Sequence, residues 1–218
     1  MSAELKSHRQ GRTLVLTICH PAQDNALSPA LCAAAVEALG VAETNAETRS
    51  IVITGEGAVF SAGPPGGPAL ASAQALDSLQ SVIDAIRTFP KPVLAAVNGP
   101  ARGAGLTLAL ACDFIIAETE SVFAADGVLM VGPAHVLQFH KELLLHDTPV
   151  GADRLHAIGL VSRLAQPTQS LTQACEFAAH LELLQPARFV ALKESLEESA
   201  NATWSRQFAQ QRATIGAG

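Results

Sequence analysis

Two short segments of small residues have the composition and spacing that best suit chemistry. They are Ser61-Ala62-Gly63 and Gly103-Ala104-Gly105. Small residues let a ligand approach the backbone closely, and fixed backbone N–H groups stabilise negative charge that develops during a reaction. The alternative interpretation is that these glycines only permit tight packing of the chain.

Other chemistries fit these segments poorly. Leu108 stands where a dinucleotide-binding motif beginning at Gly103 needs its third glycine, and the Lys-Ser/Thr pair of a P-loop is missing. Val59 replaces the upstream glycine of a hydrolase nucleophile elbow at Ser61, so a serine hydrolase is kept only as a further hypothesis. No metal site is predicted, because five histidines lack the spacing of metal ligands. These are His20, His140, His146, His156 and His180.

Alternating strands and helices must position the two segments. Ser28 is a predicted N-cap with Pro29 at the first helical position. The alternation predicts an α/β fold of parallel units with binding sites in the loops that leave the strand ends, here 55–67 and 98–105. The predicted strands are 14–18, 50–54, 93–97 and 114–117, and two further helices are 72–88 and 103–111.

The last fifty residues have a different pattern. They predict helices over 171–184 and 186–195, followed by a polar stretch to residue 218. The chain therefore divides into a core domain, 1–168, and a C-terminal helical region, 169–218, that serves as an oligomer interface or a lid.

Composition limits the function classes. The net charge of -6 argues against bulk electrostatic binding of nucleic acid. The N-terminus lacks the apolar region of a secretory signal, and the longest uncharged run is interrupted by proline and glycine, so neither secretion nor a membrane span is expected. A cytoplasmic location is therefore the default expectation. The four cysteines are far apart, form no CxxC pair and lie in apolar stretches, which predicts reduced, buried thiols.

Both glycine-rich loops resemble the crotonase superfamily, also called the enoyl-CoA hydratase/isomerase family. Residues 51–63 match its strand and "TGxGxxFxAG" loop, and residues 91–113 match "KPVIAAVNGxAxGxGxxLALACD". Further similarity lies at 25–28 and 157–161. The resemblance implies the crotonase (ClpP-like) spiral of ββα units, a homotrimer or hexamer, and an acyl-CoA or acyl-carrier thioester as the substrate, with no separate cofactor.

The resemblance also implies a set of site residues. The amides of Ala62 and Ala104 would form the oxyanion hole that holds a thioester enolate. The other positions carried over from the family are substrate contacts and CoA contacts. The substrate contacts are Gly63, Gly103, Gly105, Thr107 and Gly127, and the CoA contacts are Ala22, Asp24 and Ala26.

The chain departs from the family at both catalytic glutamates. Thr107 and Gly127 occupy their positions, and losing one positioned acid or base costs about 10² to 10⁴-fold in rate. Hydration is therefore disfavoured. Asp126 is a candidate acid/base beside the vacant position, or else a turn residue. His135, eight positions beyond Gly127, is a second candidate, or else a surface or packing histidine.

Two functional hypotheses follow. The first is an enzyme that decarboxylates, isomerises or hydrolyses a C–C bond through an enolate held in the oxyanion hole. The second is a non-catalytic relative that keeps the fold as a binding or scaffolding protein.

Overall fold

Six strands form the main sheet in the order β1-β2-β3-β4-β6-β9. The computed structural model describes residues 3–62, 70, 72–128, 132, 137–146, 148–183 and 185–216. β1, which the sequence does not predict, pairs with β2 in antiparallel orientation. Every later pair in this sheet is parallel, as the sequence predicts. The strands are β1 (Glu4–Gln10), β2 (Thr13–Cys19), β3 (Ser50–Gly55), β4 (Val93–Val97), β6 (Phe114–Glu118) and β9 (Arg163–Ala165).

The centre of this sheet is buried on both faces. All residues of β3 and β4 are buried, which is typical of parallel strands covered by helices on either side. One face contributes to the large apolar core that includes α1 (Pro29–Thr44) and α2 (Ala73–Thr88). The other face packs against α6 (Ser170–Leu181).

The predicted helix starts at Ser28 and Ser72 are confirmed. The Ser28 side chain accepts a hydrogen bond from the Leu31 amide, and the Ser72 side chain accepts one from the Ala75 amide. Each serine thereby satisfies a backbone donor that the helix itself cannot pair.

A small second sheet pairs the loop after β4 with two later strands of the chain. Its order is β5-β7-β8, with β5 parallel to β7 and β7 antiparallel to β8. Its strands are β5 (Ala101–Arg102), β7 (Val122–Ala124) and β8 (Val150–Gly151), and the helices around it are α3 (Ala104–Ala111), α4 (Leu137–His146) and α5 (Ala152–Ala157).

The C-terminal helix is longer than the sequence predicts. The prediction that it ends near residue 195 is wrong, because α7 runs over Pro186–Gly216. Trp204 and Phe208 lie one helical turn apart and are buried in the main core, which anchors the polar half of α7. The division at residue 168 stays a prediction, and α6, just beyond it, covers one face of the main sheet.

An ion pair between the half-buried Asp113 and the buried Lys193 ties α7 to the sheet. The Asp113 carboxylate accepts a hydrogen bond from the Val93 amide and lies 3.0 Å from Nζ of Lys193, which also donates to the carbonyl oxygen of Ile86. Asp113 therefore has a structural role. None of the helices in the described part of the chain combines the length and apolar character that a bilayer-crossing segment needs.

Candidate functional site

The loops after β3 and β4 are hydrogen-bonded together at Ser61. Its amide donates to the carbonyl oxygen of Pro100, and its own carbonyl oxygen accepts from the amide of Arg102 at 2.9 Å. Gly105 packs directly on this junction, because a Cβ added to it would lie 2.0 Å from the Ser61 carbonyl oxygen. Only glycine fits there, so the chain brings the N-terminus of α3 against the loop that follows β3.

Ala104 presents a backbone donor at that N-terminus. It is the first residue of α3 and follows Gly103, whose φ of 53° lies in a region that favours glycine. The Gly103 amide donates to the carbonyl oxygen of Ala124, which fixes the turn. A first-turn amide has no acceptor within its own helix, and the helix dipole adds partial positive charge at this end. The role of the Ala104 amide in an oxyanion hole stays a prediction.

The amide of Ala62 is engaged elsewhere in the protein. It donates to the carbonyl oxygen of Asp24 at 2.9 Å. The expectation of an open donor at Ala62 is therefore not met in this conformation, and a substrate oxygen would first have to displace Asp24. The cause lies in the turn that carries Asp24, where Asp24 and Asn25 both have positive φ, 47° and 56°.

Asn25 holds this turn against the loop that follows β3. Its side-chain oxygen accepts from the His20 amide, and its side-chain nitrogen donates to the carbonyl oxygens of Glu56 and Val59. The side chain is buried, so these bonds are made away from water. The family resemblance at 25–28 does not reveal this role of Asn25, although asparagine is one of the residues that tolerate positive φ.

Neither of the two vacant glutamate positions holds a group suited to acid/base chemistry. Thr107 is fully buried, and its hydroxyl lies 3.4 Å from the carbonyl oxygen of Gly103, the residue one turn earlier. Gly127 is exposed, has a φ of 83°, and has open space where a side chain would lie. The positions exist in the fold, but no carboxylate is placed there.

Asp126 is held by an arginine. Nε of Arg102 donates to one carboxylate oxygen at 2.7 Å, and a terminal guanidinium nitrogen donates to the other at 2.9 Å. The Asp126 side chain is 6% exposed and that of Arg102 is 35% exposed. These two charge-assisted bonds hold the carboxylate against Arg102, which favours the interpretation of Asp126 as a turn residue. The other acid/base candidate, His135, lies outside the described residues, as does Gly63.

The candidate CoA contacts differ in accessibility. Ala22 and Asp24 are exposed, whereas Ala26 is buried. The carbonyl oxygen of Ala26 lies 3.3 Å from Nδ1 of His20, which makes it an acceptor for the imidazole. Ala22 and Asp24 are thus the two candidates that a ligand could reach directly.

Ser61 is placed as a structural residue. It is fully buried, and its hydroxyl donates to the carbonyl oxygen of Asn25 at 2.8 Å. A serine nucleophile needs a base that accepts this proton, and here a backbone carbonyl accepts it instead. The hydrolase hypothesis therefore has no support from the geometry.

The cysteines are free thiols. Burial raises the pKa of Cys32 to about 12 and that of Cys175 to about 11, and burial also raises the pKa of Cys112. Thiols of this kind are poor nucleophiles near neutral pH. Within the described part of the chain, no group of three or more His, Cys, Asp or Glu side chains is placed to hold a metal ion.

Known proteins are similar to this chain in both sequence and fold. A model of the enoyl-CoA hydratase/isomerase family matches residues 8–216. The crystal structure of an enoyl-CoA hydratase from Polaromonas sp. JS666 has a TM-score of 0.82 and 39% sequence identity, and the match covers 96% of this chain and 89% of that one.

Two curated relatives carry different activities in their names. The 2,3-dehydroadipyl-CoA hydratase of Escherichia coli (strain K12) is 30% identical, with 96% of this chain and 88% of the relative covered. The 4-chlorobenzoyl coenzyme A dehalogenase-2 of Arthrobacter sp. is 32% identical, with 84% of this chain and 74% of the relative covered.

Proposed function

The chain belongs to the enoyl-CoA hydratase/isomerase family, and on that premise we propose that it acts on an acyl thioester through an enolate held at the Ala104 amide. The observation that carries the proposal is the position of this amide, the first donor of α3, with no acceptor inside its own helix. A thioester oxygen that gains negative charge is stabilised by such a donor more strongly than a neutral carbonyl is, which lowers the barrier to enolate formation.

The substrate in this proposal is an acyl-CoA or an acyl group on the phosphopantetheine of a carrier protein. Both carriers present the same thioester arm. The names of the hydratase and dehalogenase relatives both specify CoA thioesters, which supports this substrate class.

Among the reactions of an enolate, we favour decarboxylation. In that step the C–C bond to a β-carboxylate breaks, CO₂ leaves, and the electron pair forms the enolate, which then takes a proton at carbon. No side-chain base is needed before the bond breaks. Hydration needs an acid and a base at Thr107 and Gly127, which supply neither.

Isomerisation and C–C hydrolysis are the alternative reactions within this proposal. Each needs a base that removes a proton from the substrate or from water. Asp126, which is hydrogen-bonded to Arg102 through both oxygens, is one sequence candidate for this base, and His135 is the other.

A second candidate function is non-catalytic binding of a partner or an acyl thioester. The hydrogen bond from the Ala62 amide to the Asp24 carbonyl oxygen favours it, because the bond occupies one of the two predicted donors. Two residues that follow, Pro64 and Pro65, have no backbone N–H to take its place.

The test is mass spectrometry of the purified protein incubated with crotonyl-, malonyl-, methylmalonyl-, dienoyl- and β-ketoacyl-CoA. Loss of CO₂ from a malonyl substrate is the expected result. Gain of one water without cleavage would contradict the exclusion of hydration. Isomerisation without a change of mass is detected by chromatographic separation of the products. Free CoA indicates thioester hydrolysis, whereas a shorter acyl-CoA together with a carboxylic acid indicates C–C hydrolysis.

A panel without turnover would be followed by binding measurements on the same CoA esters and by the same acyl groups on a carrier protein. Binding without turnover on either carrier would favour the non-catalytic candidate. Absence of both binding and turnover would overturn the thioester proposal.

A further inference from the structure

The backbone that leads into Ala104 is held by the second sheet. Arg102 ends β5 and pairs with Ala124 of β7, and the Gly103 amide then donates to the carbonyl oxygen of Ala124 at 3.0 Å. Gly103 has a φ of 53° and is followed directly by Ala104, the first residue of α3. The direction of the Ala104 N–H therefore depends on how firmly β5 is fixed to β7 and to the turn that follows β7.

That turn spans residues 125–128. The Val128 amide donates to the carbonyl oxygen of Ala125, and both central residues, Asp126 and Gly127, have positive φ. Asp-Gly and Asn-Gly are the preferred pairs for a tight turn of this kind. The turn therefore accounts for an aspartate or an asparagine at position 126, but it requires neither the second carboxylate oxygen nor the negative charge.

Arg102 uses both of these additional features. Its guanidinium donates to one Asp126 oxygen at 2.7 Å and to the other at 2.9 Å, and the Asp126 side chain is buried. Binding at both oxygens fixes the plane of the guanidinium as well as its distance. The Cβ of Asp126 also lies 3.8 Å from the point where a Cβ on Gly103 would be, so Asp126 packs beside the Gly103 peptide.

A second ion pair with two hydrogen bonds provides a comparison. Arg154 on α5 donates to both oxygens of Glu142 on α4, at 2.9 and 2.6 Å, but both of these side chains are largely exposed. Exposed pairs of this kind contribute little, because water screens the charges. The pair of Arg102 and Asp126 is less exposed and lies at the turn from which α3 begins.

We propose that Arg102 and Asp126 are positioning residues that fix the direction of the Ala104 N–H toward the thioester oxygen. The inference rests on the proposed function of that amide. Asp126 then acts through Arg102 and the Gly103 peptide, without contact with the substrate, rather than as a base. Since each residue acts through the same contact, loss of either one should have the effect of losing both.

The first test needs no substrate. Residual dipolar couplings report the direction of each amide N–H bond, and they are measured by NMR on the full-length wild type, Asp126→Asn and Arg102→Lys. Asparagine suits the turn but offers one oxygen, and lysine keeps the charge but lacks the planar fork. The Ala104 coupling should change or average toward zero in both variants. Glu142→Gln, which weakens the exposed pair, should leave it unchanged.

An Ala104 coupling that stays at the wild-type value in folded Asp126→Asn and Arg102→Lys proteins would overturn the inference. Circular dichroism establishes that each variant is folded, and either variant alone decides if the other does not fold.

The second test uses the substrate found in the mass-spectrometric panel. Each single variant should lower kcat by about 10 to 100-fold with KM changed by less than about twofold, because a misdirected donor weakens transition-state binding more than substrate binding. The double variant should lose no more than the more severe single variant, and Glu142→Gln should keep wild-type kinetics.

The same kinetics test whether Asp126 is a base. A base would make Asp126→Asn severe and Arg102→Lys mild, and the two effects would multiply in the double variant, which would overturn the inference. A wild-type protein that turns over no thioester would contradict the proposed function and with it the purpose of the pair. Unchanged dipolar couplings would overturn this inference alone.

Discussion

The proposed chemistry at Ala104 depends on a backbone hydrogen, so a substitution that removes only that hydrogen tests it. Ala104→Pro does so at the first position of α3, where proline is well tolerated because its fixed φ suits the start of a helix. We expect turnover of the substrate found in the mass-spectrometric panel to fall by about 10² to 10³-fold. Ala104→Ser retains the N–H and should keep most of the activity, while circular dichroism should show both variants folded. Full activity in the proline variant would exclude this amide as the donor.

The contact between Gly105 and Ser61 holds the two glycine-rich loops together. Gly105→Ala forces a methyl group against a backbone oxygen, and we expect the free energy of unfolding to fall by about 1–3 kcal/mol, as in other overpacked sites. Gly40→Ala is the control, because Gly40 lies inside α1 with open space around it and should gain about 0.5–1 kcal/mol. Urea denaturation measures both. Changes of the same sign would contradict the packing argument.

The buried thiols give the protein a defined alkaline sensitivity. Cys32 has a pKa of about 12 in the folded protein, raised from 9.0 by burial. Below pH 9 the thiol is protonated in both states and stability is unaffected. Between pH 9 and 12 only the unfolded chain loses this proton, so the free energy of unfolding should fall by about 1.4 kcal/mol per pH unit for this thiol. No tyrosine titrates in this window, because the chain has none.

Cys32→Ala isolates this contribution. The variant should lose less stability between pH 9 and 11 than the wild type, whatever its stability at pH 8, when urea midpoints are compared at each pH. Equal slopes would show that the thiol ionises at the same pH in both states.

At the site, the sequence alone predicted where residues lie in the fold better than it predicted which hydrogen bonds they make. The motifs placed Ala104, Thr107 and Gly127 at defined points of the fold. They could not show that the Ala62 amide is bonded to Asp24, because that bond depends on the turn at Asp24 and Asn25. Two consecutive residues of positive φ, neither of them glycine, have no reliable signature in a single sequence.

Among the secondary-structure elements, the lysine that joins α7 to the sheet should matter most for the C-terminal region. Lys193→Met removes the ammonium group that pairs with the half-buried Asp113 carboxylate, and we expect a loss of about 1.5–3 kcal/mol in the free energy of unfolding. Limited proteolysis should then cleave within α7 first. Lys141→Met, at an exposed position of α4, is the control and should change neither property. An unchanged Lys193 variant would show that this ion pair is not needed to hold α7 in place.

The elements that the sequence predicted are those with a strong local pattern. β-branched runs marked the buried strands, the Ser28 cap marked α1, and the predicted crotonase fold and family are confirmed. β1 was missed because its exposed, polar residues do not resemble a strand. β5 and β8 contain two residues each, too few for a periodic signal, and the polar face of α7 hid the buried stripe that contains Trp204.

At the scale of the whole molecule, the expected homotrimer or hexamer stays a prediction, as does the cytoplasmic location. Leu192 and Leu196 lie one turn apart on α7 and are 59% and 63% exposed. If self-association covers them, Leu192→Glu combined with Leu196→Glu should lower the mass measured by sedimentation equilibrium without unfolding the protein. A wild-type mass of one chain would contradict the oligomer prediction.

The edge strand β1 affects the tendency of the protein to aggregate. β1 forms one border of the main sheet, and its exposed side chains include Glu4, Lys6 and Arg9. Behind it lies β2, whose residues are mostly buried and apolar. An uncovered border of that composition is a template for strands of other chains, whereas charged edge residues discourage such addition. Detachment of β1 would therefore expose the edge of β2, where fibrillar aggregation would begin. While β1 stays paired, its charged side chains discourage the addition of strands from other chains.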